Sequence, residues 1–386
     1  MDTSSVNYIS YYLVHLIICY ICYYSRSGKH QQSKAISNAI MASPTNTKTL
    51  TAACHCRNVH FNVTIPAASL PLDVHLCHCS LCRYTHGTFC TFHANLPEGI
   101  EPDFIAPSSM SNLTPYTHPQ GHSTGYFCST CGCNIGCQDS VWVISSAIFD
   151  ANCDESIWKI NEHIFASSAP SGDLARLLPR VGAHQLHVSH DPATISSKRQ
   201  TTTNDSANEI LRAECHCGGV FVDIARPRKE FTEDPANSDW VPPGEEQKWR
   251  GVIEVCDDCR LVNGVNLAGW IFVPTDHMSP RPGENLALGT SKAYQSSEGV
   301  LRSFCGRCGA TVFYSCVDRP HVFDVSVGIL RAPEGVMATT WAAWKMANIG
   351  REDGRRYDAE FTKALIEGVE GWVEKNGQTT VDRVEN

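Results

Sequence analysis

Apolar and polar positions alternate along short stretches of this chain, each bounded by Pro, Gly, Asn or Asp. Val59–Ile65, Phe89–His93 and Val141–Ile148 are of this kind, as are Val220–Ile224, Gly269–Val273 and Val322–Ile329. Period-two or β-rich runs of that length predict strands. Helical periods are scarce until the C-terminus. There Phe361, Leu365, Ile366, Val369 and Trp372 recur at spacings of three to four, which predicts an amphipathic helix over 357–375 packed on its own domain. Residues 166–209 are rich in Ser, Thr, Ala, Asp and Asn with no long apolar period, and read as a linker. Residues 226–246, loaded with Pro, Gly and charge, read as a loop.

The N-terminal stretch Val6–Tyr24 carries no formal charge and is near bilayer-spanning length, yet six of its residues are Tyr. Tyr favours the membrane interface over the hydrocarbon centre, so the stretch makes a poor spanning helix. No basic region precedes it and no small-residue cleavage site follows it. Met41 opens a short polar lead into the first cysteine motif. Residues 1–49 are therefore expected to be a leader, with the working protein starting near Met41 and cytoplasmic. A membrane association would follow only if residues 6–24 were an anchor.

The chain repeats itself. Cys79 and Cys82, with Arg83 and Gly87 behind them, correspond to Cys256 and Cys259, with Arg260 and Gly264, at a shift of 177 positions. The same shift carries Phe127-Cys128-x-x-Cys131-Gly132 onto Phe304-Cys305-x-x-Cys308-Gly309. Cys54-His55-Cys56 matches Cys215-His216-Cys217 at a shift of 161, which places an insertion in the second copy near 226–246. Three motifs in one order establish a tandem duplication. The expected layout is a first domain over 50–165, a linker over 166–209, a second domain over 210–335 and a helical extension over 336–386. The fold class is mainly β, with two small antiparallel domains pinned by metal.

The formal net charge is −9, from 31 Lys plus Arg against 40 Asp plus Glu, which argues against a nucleic-acid partner. Cysteine, at 20 residues, is abundant for a chain long enough to bury a core without disulfides. A Cys-x-Cys and a Cys-x-x-Cys pair together supply the four thiolates of a structural zinc. One such set is Cys54, Cys56, Cys128 and Cys131; its duplicate is Cys215, Cys217, Cys305 and Cys308. The competing reading, disulfides, suffers from the strain of a Cys-x-Cys bridge.

The middle motif differs. Cys77, Cys79 and Cys82 offer three sulfurs and leave a fourth position open for water or a substrate thiol, unless His78 or His55 fills it. Arg83 beside them would balance thiolate charge or hold a substrate carboxylate, or else be a plain surface residue. In the second copy the set reads Glu254, Cys256 and Cys259, a harder ligand set expected to be weaker, altered or empty. The first copy is the expected seat of chemistry and the second of architecture.

Together these motifs resemble the glutathione-dependent formaldehyde-activating enzyme family, which also contains centromere protein V. The resemblance covers about residues 50–165 and 210–335. It implies an Mss4-like fold gathered round one structural zinc per domain, and a second zinc at Cys77, Cys79 and Cys82 where glutathione binds. It also implies a carbon–sulfur lyase forming S-(hydroxymethyl)glutathione, so that the partners are a small thiol and an aldehyde. The alternative within the family is a non-catalytic, zinc-stabilised binding module of the centromere protein V type, which the acidic charge and the lack of a basic run disfavour.

Overall fold

A computed structural model describes residues 46–119, 123–150, 154–166, 173–189, 209–345 and 351–376. The leader stretch Val6–Tyr24 lies outside the described residues. Among those described, no helix is long and apolar enough to cross a membrane.

The first half opens with a hairpin, β1 (Thr47–Ala53) and β2 (His60–Pro66), whose alternating burial follows its alternating sequence. Strands β3 (Leu72–Cys77), β4 (Thr91–Asn95), β5 (Asp103–Phe104) and β6 (Leu113–Thr117) follow, and then β7 (Thr124–Cys128), β8 (Asn134–Gln138), β9 (Trp142–Ser145) and β10 (Trp158–Ile164). β1, β2 and β5 form a small sheet. The main sheet has the order β10-β3-β4-β9-β8-β7-β6 and is antiparallel, except that β10 returns to lie parallel to β3.

The second half repeats this plan. β14 (Ile210–Glu214), β15 (Phe221–Ala225) and β18 (Met278–Ser279) form the small sheet. β16 (Trp249–Glu254), β17 (Ala268–Pro274), β19 (Ser291–Ser297), β20 (Val300–Cys305), β21 (Thr311–Cys316), β22 (Val322–Ser326) and β23 (Ala342–Lys345) form the main one. Its order, β23-β16-β17-β22-β21-β20-β19, matches the first half strand for strand, including the parallel return of β23 on β16. Both sheets are thus mixed at one edge, and the second reaches past residue 335 to include β23.

Short helices follow β3 and β16: α1 (Ser80–His86) and its duplicate α4 (Asp257–Asn263). Each is closed by a glycine in the left-handed region, Gly87 and Gly264, whose N–H bonds the carbonyl of Arg83 or Arg260. A Cβ on Gly87 would meet the Thr311 backbone, and one on Gly264 the Asn134 backbone, so each cap also seats the other half.

That reciprocity runs through the whole interface. His55 Nδ1 lies 2.7 Å from the Tyr294 hydroxyl, and His216 Nδ1 lies 2.7 Å from that of Tyr116. The His55 amide donates to the Leu261 carbonyl, and the His216 amide to that of Tyr84. Ser145 Oγ donates to the Gly264 carbonyl at 2.7 Å, and Ser326 Oγ to that of Gly87. The two halves meet as an isologous dimer does, within one chain. A single buried cluster runs from Leu50 to Val369 and serves both.

Three findings depart from the sequence reading. Within the stretch read as a linker, residues 173–189 form α2 (Asp173–Leu177), the short pair β11 (Arg180–Val181) and β12 (His184–Gln185), and β13 (His187–Val188), which adds to the β10 edge. Within the loop read over 226–246, the one-turn α3 (Lys229–Thr232) precedes Trp240. The C-terminal pattern does form helices, α5 (Arg351–Tyr357) and α6 (Ala359–Asn376), but α6 docks on the first half rather than on its own domain. Phe361 packs edge-on against Phe92, and Gly368 lies against the Leu177 backbone. Periodicity identifies an apolar face but not the surface that covers it.

Candidate metal centres and a polar sheet face

Cys54, Cys56, Cys128 and Cys131 converge with all four sulfurs within 4.8 Å of one another, and Cys215, Cys217, Cys305 and Cys308 do the same. In each set a turn after Cys-x-Cys and a turn after Cys-x-x-Cys curl towards one point. Adjacent Sγ atoms lie 3.5 Å (Cys54–Cys56), 3.6 Å (Cys56–Cys128), 3.7 Å (Cys215–Cys217) and 3.5 Å (Cys217–Cys305) apart. Four sulfurs at about 2.3 Å from a zinc stand roughly 3.8 Å apart, so both sets fit that ion. None of the eight is in a disulfide. Hydrogen bonds from Cys131, Cys54 and Cys56 hold the Cys128 thiol far below the usual thiol range, and those from Cys215, Cys217 and Cys308 do so for Cys305. Each set therefore carries a thiolate ready for a cation.

Cys77, Cys79 and Cys82 form a third group by the same measure. Cys77 ends β3, Cys79 caps α1 by accepting from the Cys82 amide, and Cys82 lies in the first turn. Hydrogen bonds from Cys77 and Cys82 pull the Cys79 thiol well down. The two histidines considered as fourth ligands are engaged elsewhere. His78 is buried, with Nε2 2.9 Å from His163 Nδ1, and His163 Nε2 in turn reaches the Leu178 carbonyl at 2.8 Å. His55 is held at the interface by Tyr294. Three thiolates with an open fourth position fit a zinc that accepts an outside ligand. Arg83 is buried, which excludes the plain surface role; its Nε donates to the His78 carbonyl, and its charge helps to lower Cys79.

Strand register extends this site. Cys77 stands opposite Thr91 and His75 opposite His93, and alternate residues share a face, so Cys77, His75, Thr91, His93 and Asn95 all project to one side. On that side Thr91 Oγ1, His93 Nε2 and Asn95 Oδ1 are buried without a hydrogen-bond partner. His86 of α1 ties the face to the cysteines: its Nδ1 is 3.0 Å from the Cys82 carbonyl and its ring is 5.3 Å from that of His93. Burial pushes His75 and His86 down to about 4, so both rings are neutral at neutral pH. The same face continues through Val143 and Cys137 to Gly125, a residue with no side chain to fill the space.

The second half has the corresponding positions and fills them. Glu254 stands where Cys77 does, Ala268 for Thr91, Trp270 for His93, Phe272 for Asn95, Tyr314 for Cys137 and Arg302 for Gly125. Val252, Cys259, Ala268 and Trp270 pack into a separate apolar cluster with Phe272 and Tyr314. Glu254, Cys256 and Cys259 do not come together as a metal-ligating group among the described residues, which hold three such groups. Instead the buried Arg302 guanidinium lies 3.6 Å (Nη1) and 3.7 Å (Nη2) from Cys259 Sγ.

The residues that a search for cysteine motifs passes over are therefore His75, His86, Thr91, His93, Asn95, Gly125 and Arg302. The signal for them lies in the repeat itself. At the 177-position shift, Thr91-Phe-His93-Ala-Asn95 becomes Ala268-Gly-Trp270-Ile-Phe272, a polar face turned apolar.

No curated protein matches the chain. The sequence model of one family does, over residues 49–168 and again over 245–346; each match spans a main sheet, the first with all four cysteines of its set and the second with Cys305 and Cys308 of its own. With the strand order repeated, the four-sulfur sets duplicated and both halves matched, the chain belongs to the glutathione-dependent formaldehyde-activating enzyme family, in a tandem two-domain form.

Proposed function

We propose that the first half is a carbon–sulfur lyase of the S-(hydroxymethyl)glutathione synthase kind, joining a small thiol to an aldehyde. One observation carries this: the three-thiolate group with an open position faces a wall of buried, unpartnered polar atoms. Orphaned buried polar groups cost about 1–3 kcal/mol each, so such a wall is built for an occupant.

Cys77, Cys79 and Cys82 would hold a zinc, which supplies a cationic seat that favours the thiolate form of a substrate thiol. The wall serves the other reactant. Addition forms a C–S bond, breaks the carbonyl π bond and leaves charge on the carbonyl oxygen, which must gain the proton that the thiol gave up. Thr91 Oγ1 is a hydroxyl free to donate to that oxygen, and His93 Nε2 is placed beside it to donate or accept. Asn95 Oδ1 accepts from the new hydroxyl. Gly125 leaves the room on that face.

The second half favours the other reading, a zinc-pinned module without this chemistry. Trp270, Phe272, Tyr314 and Arg302 close its site.

Because thiol addition to formaldehyde also runs unaided, the test is exchange spectroscopy of formaldehyde, glutathione and their adduct with full-length protein. Faster interconversion with the wild-type chain, lost in Cys79→Ser together with one zinc, is the expected result. Interconversion at the protein-free rate overturns the lyase reading.

A further inference from the structure

The second half's Cys-x-x-Cys has lost the surroundings of a metal and keeps those of a reactive pair. Cys256 and Cys259 sulfurs lie 2.8 Å apart, far closer than the 3.5 to 3.7 Å of the four-sulfur sets. The third thiolate is absent: Glu254 stands in its place, and burial pushes its carboxyl up to about 8. A fixed cation already occupies the anion's side, since Arg302 is only 4 % exposed and is held by Ser296 Oγ at its Nε, 3.1 Å away. Its guanidinium also lies over the Tyr314 ring. A buried guanidinium repels a second cation and pairs with a thiolate. Cys256 is the more accessible sulfur and Cys259 the buried one. Residues three apart in a helical turn are within disulfide reach.

We infer that Cys256 and Cys259 are a metal-free dithiol that exchanges with low-molecular-weight disulfides, poised by Arg302. The Cys256 thiol, which donates to the Cys259 sulfur, passes its proton to that Arg302-paired thiolate as it attacks one sulfur of RS–SR, forms a mixed disulfide and expels one thiolate RS⁻. Cys259 then attacks the Cys256 sulfur, closes the Cys256–Cys259 disulfide and expels the second RS⁻. The protein pair is oxidised and one external disulfide is reduced; the single proton of the reduced pair finishes on one released thiol, and the other leaves as a thiolate that takes its proton from water. Arg302 favours the reduced state, because only that state offers it a thiolate. This site shares no residue with the lyase proposed for the first half, and either reading can fail alone.

The test uses the full chain, reduced, then equilibrated without oxygen in mixtures of reduced and oxidised glutathione. Samples are quenched in acid, alkylated and cut with trypsin. Gly251–Arg260 is released as one peptide that contains both cysteines and no others. Expected is a reversible, ratio-dependent shift of that peptide to a form lighter by two hydrogens and without alkyl groups. The zinc content of the protein should stay constant meanwhile. Cys259→Ser should trap glutathione on Cys256, and Arg302→Met should move the midpoint about tenfold towards the disulfide. The proposal is overturned if both cysteines alkylate fully at every ratio, or if glutathione stays on the wild-type peptide as the end product. It is equally overturned if Cys256→Ser lowers the zinc content by one per chain.

Discussion

The two halves of this chain share strand order, helix caps and four-sulfur sets, and differ along one sheet face. In the first half that face presents Cys77, Thr91, His93, Asn95 and Gly125; in the second the same positions hold Glu254, Ala268, Trp270, Phe272 and Arg302. The three residues that bear unpartnered buried polar atoms on the first face, Thr91, His93 and Asn95, are replaced on the second by Ala268, Trp270 and Phe272. The difference separates two kinds of demand on one fold. The four-sulfur sets hold the hairpin to the main sheet, so both halves need them. The third cysteine and its polar wall hold nothing together, so only the half that uses them must keep them.

The comparison breaks most visibly at the shared feature. Cys128→Ser and Cys305→Ser should act alike, each removing one zinc and the cooperative melt, since structural zinc sites are worth about 10–16 kcal/mol in small domains. Elemental analysis with calorimetry reads both, and a Cys305→Ser chain that keeps its zinc and its melt would show the halves to be pinned differently. Next in size is the paired change at the helix caps. Cys79→Ser should remove one zinc and slow adduct formation by about 10²-fold or more, whereas Cys256→Ser should leave both zinc count and rate unchanged.

A transplant sharpens the comparison further. Gly125→Arg gives the first half the cation of the second. The buried cation should repel and so weaken the three-cysteine metal, read by zinc competition with a chelator. An unaltered zinc affinity would mean that Arg302 is not what emptied the second site. The smallest effect is expected from His93→Gln, about tenfold on adduct formation with zinc content unchanged, the scale of one lost hydrogen bond in the reaction. An unchanged rate would remove His93 from the wall.

Cysteine spacing made the duplication and the pairing of motifs readable, because a Cys-x-Cys and a Cys-x-x-Cys turn have few other uses in one chain, and the short alternating runs made the β character readable. The polar wall was not readable from motifs. Thr91 and His93 lie in an ordinary strand, and only the register that sets His93 opposite His75 turns them into part of a site. Arg302 was hidden for the same reason: one Arg in a strand says nothing until helix α4 brings Cys259 against it. The amphipathic pattern of α6 showed that the helix buries a face. That the face closes over Phe92, far earlier in the chain, is decided by the close approach of the two halves.

Phe127 rests where Gly309 has no side chain, and Phe304 rests where Gly132 has none. In an assembly of separate chains such a seam would loosen on dilution. Here the partner is tethered, and its effective concentration stays fixed however little protein is present. Scarcity cannot leave the first half unescorted. An isolated first half, by contrast, would carry a bare self-complementary face and would be expected to pair with its own kind.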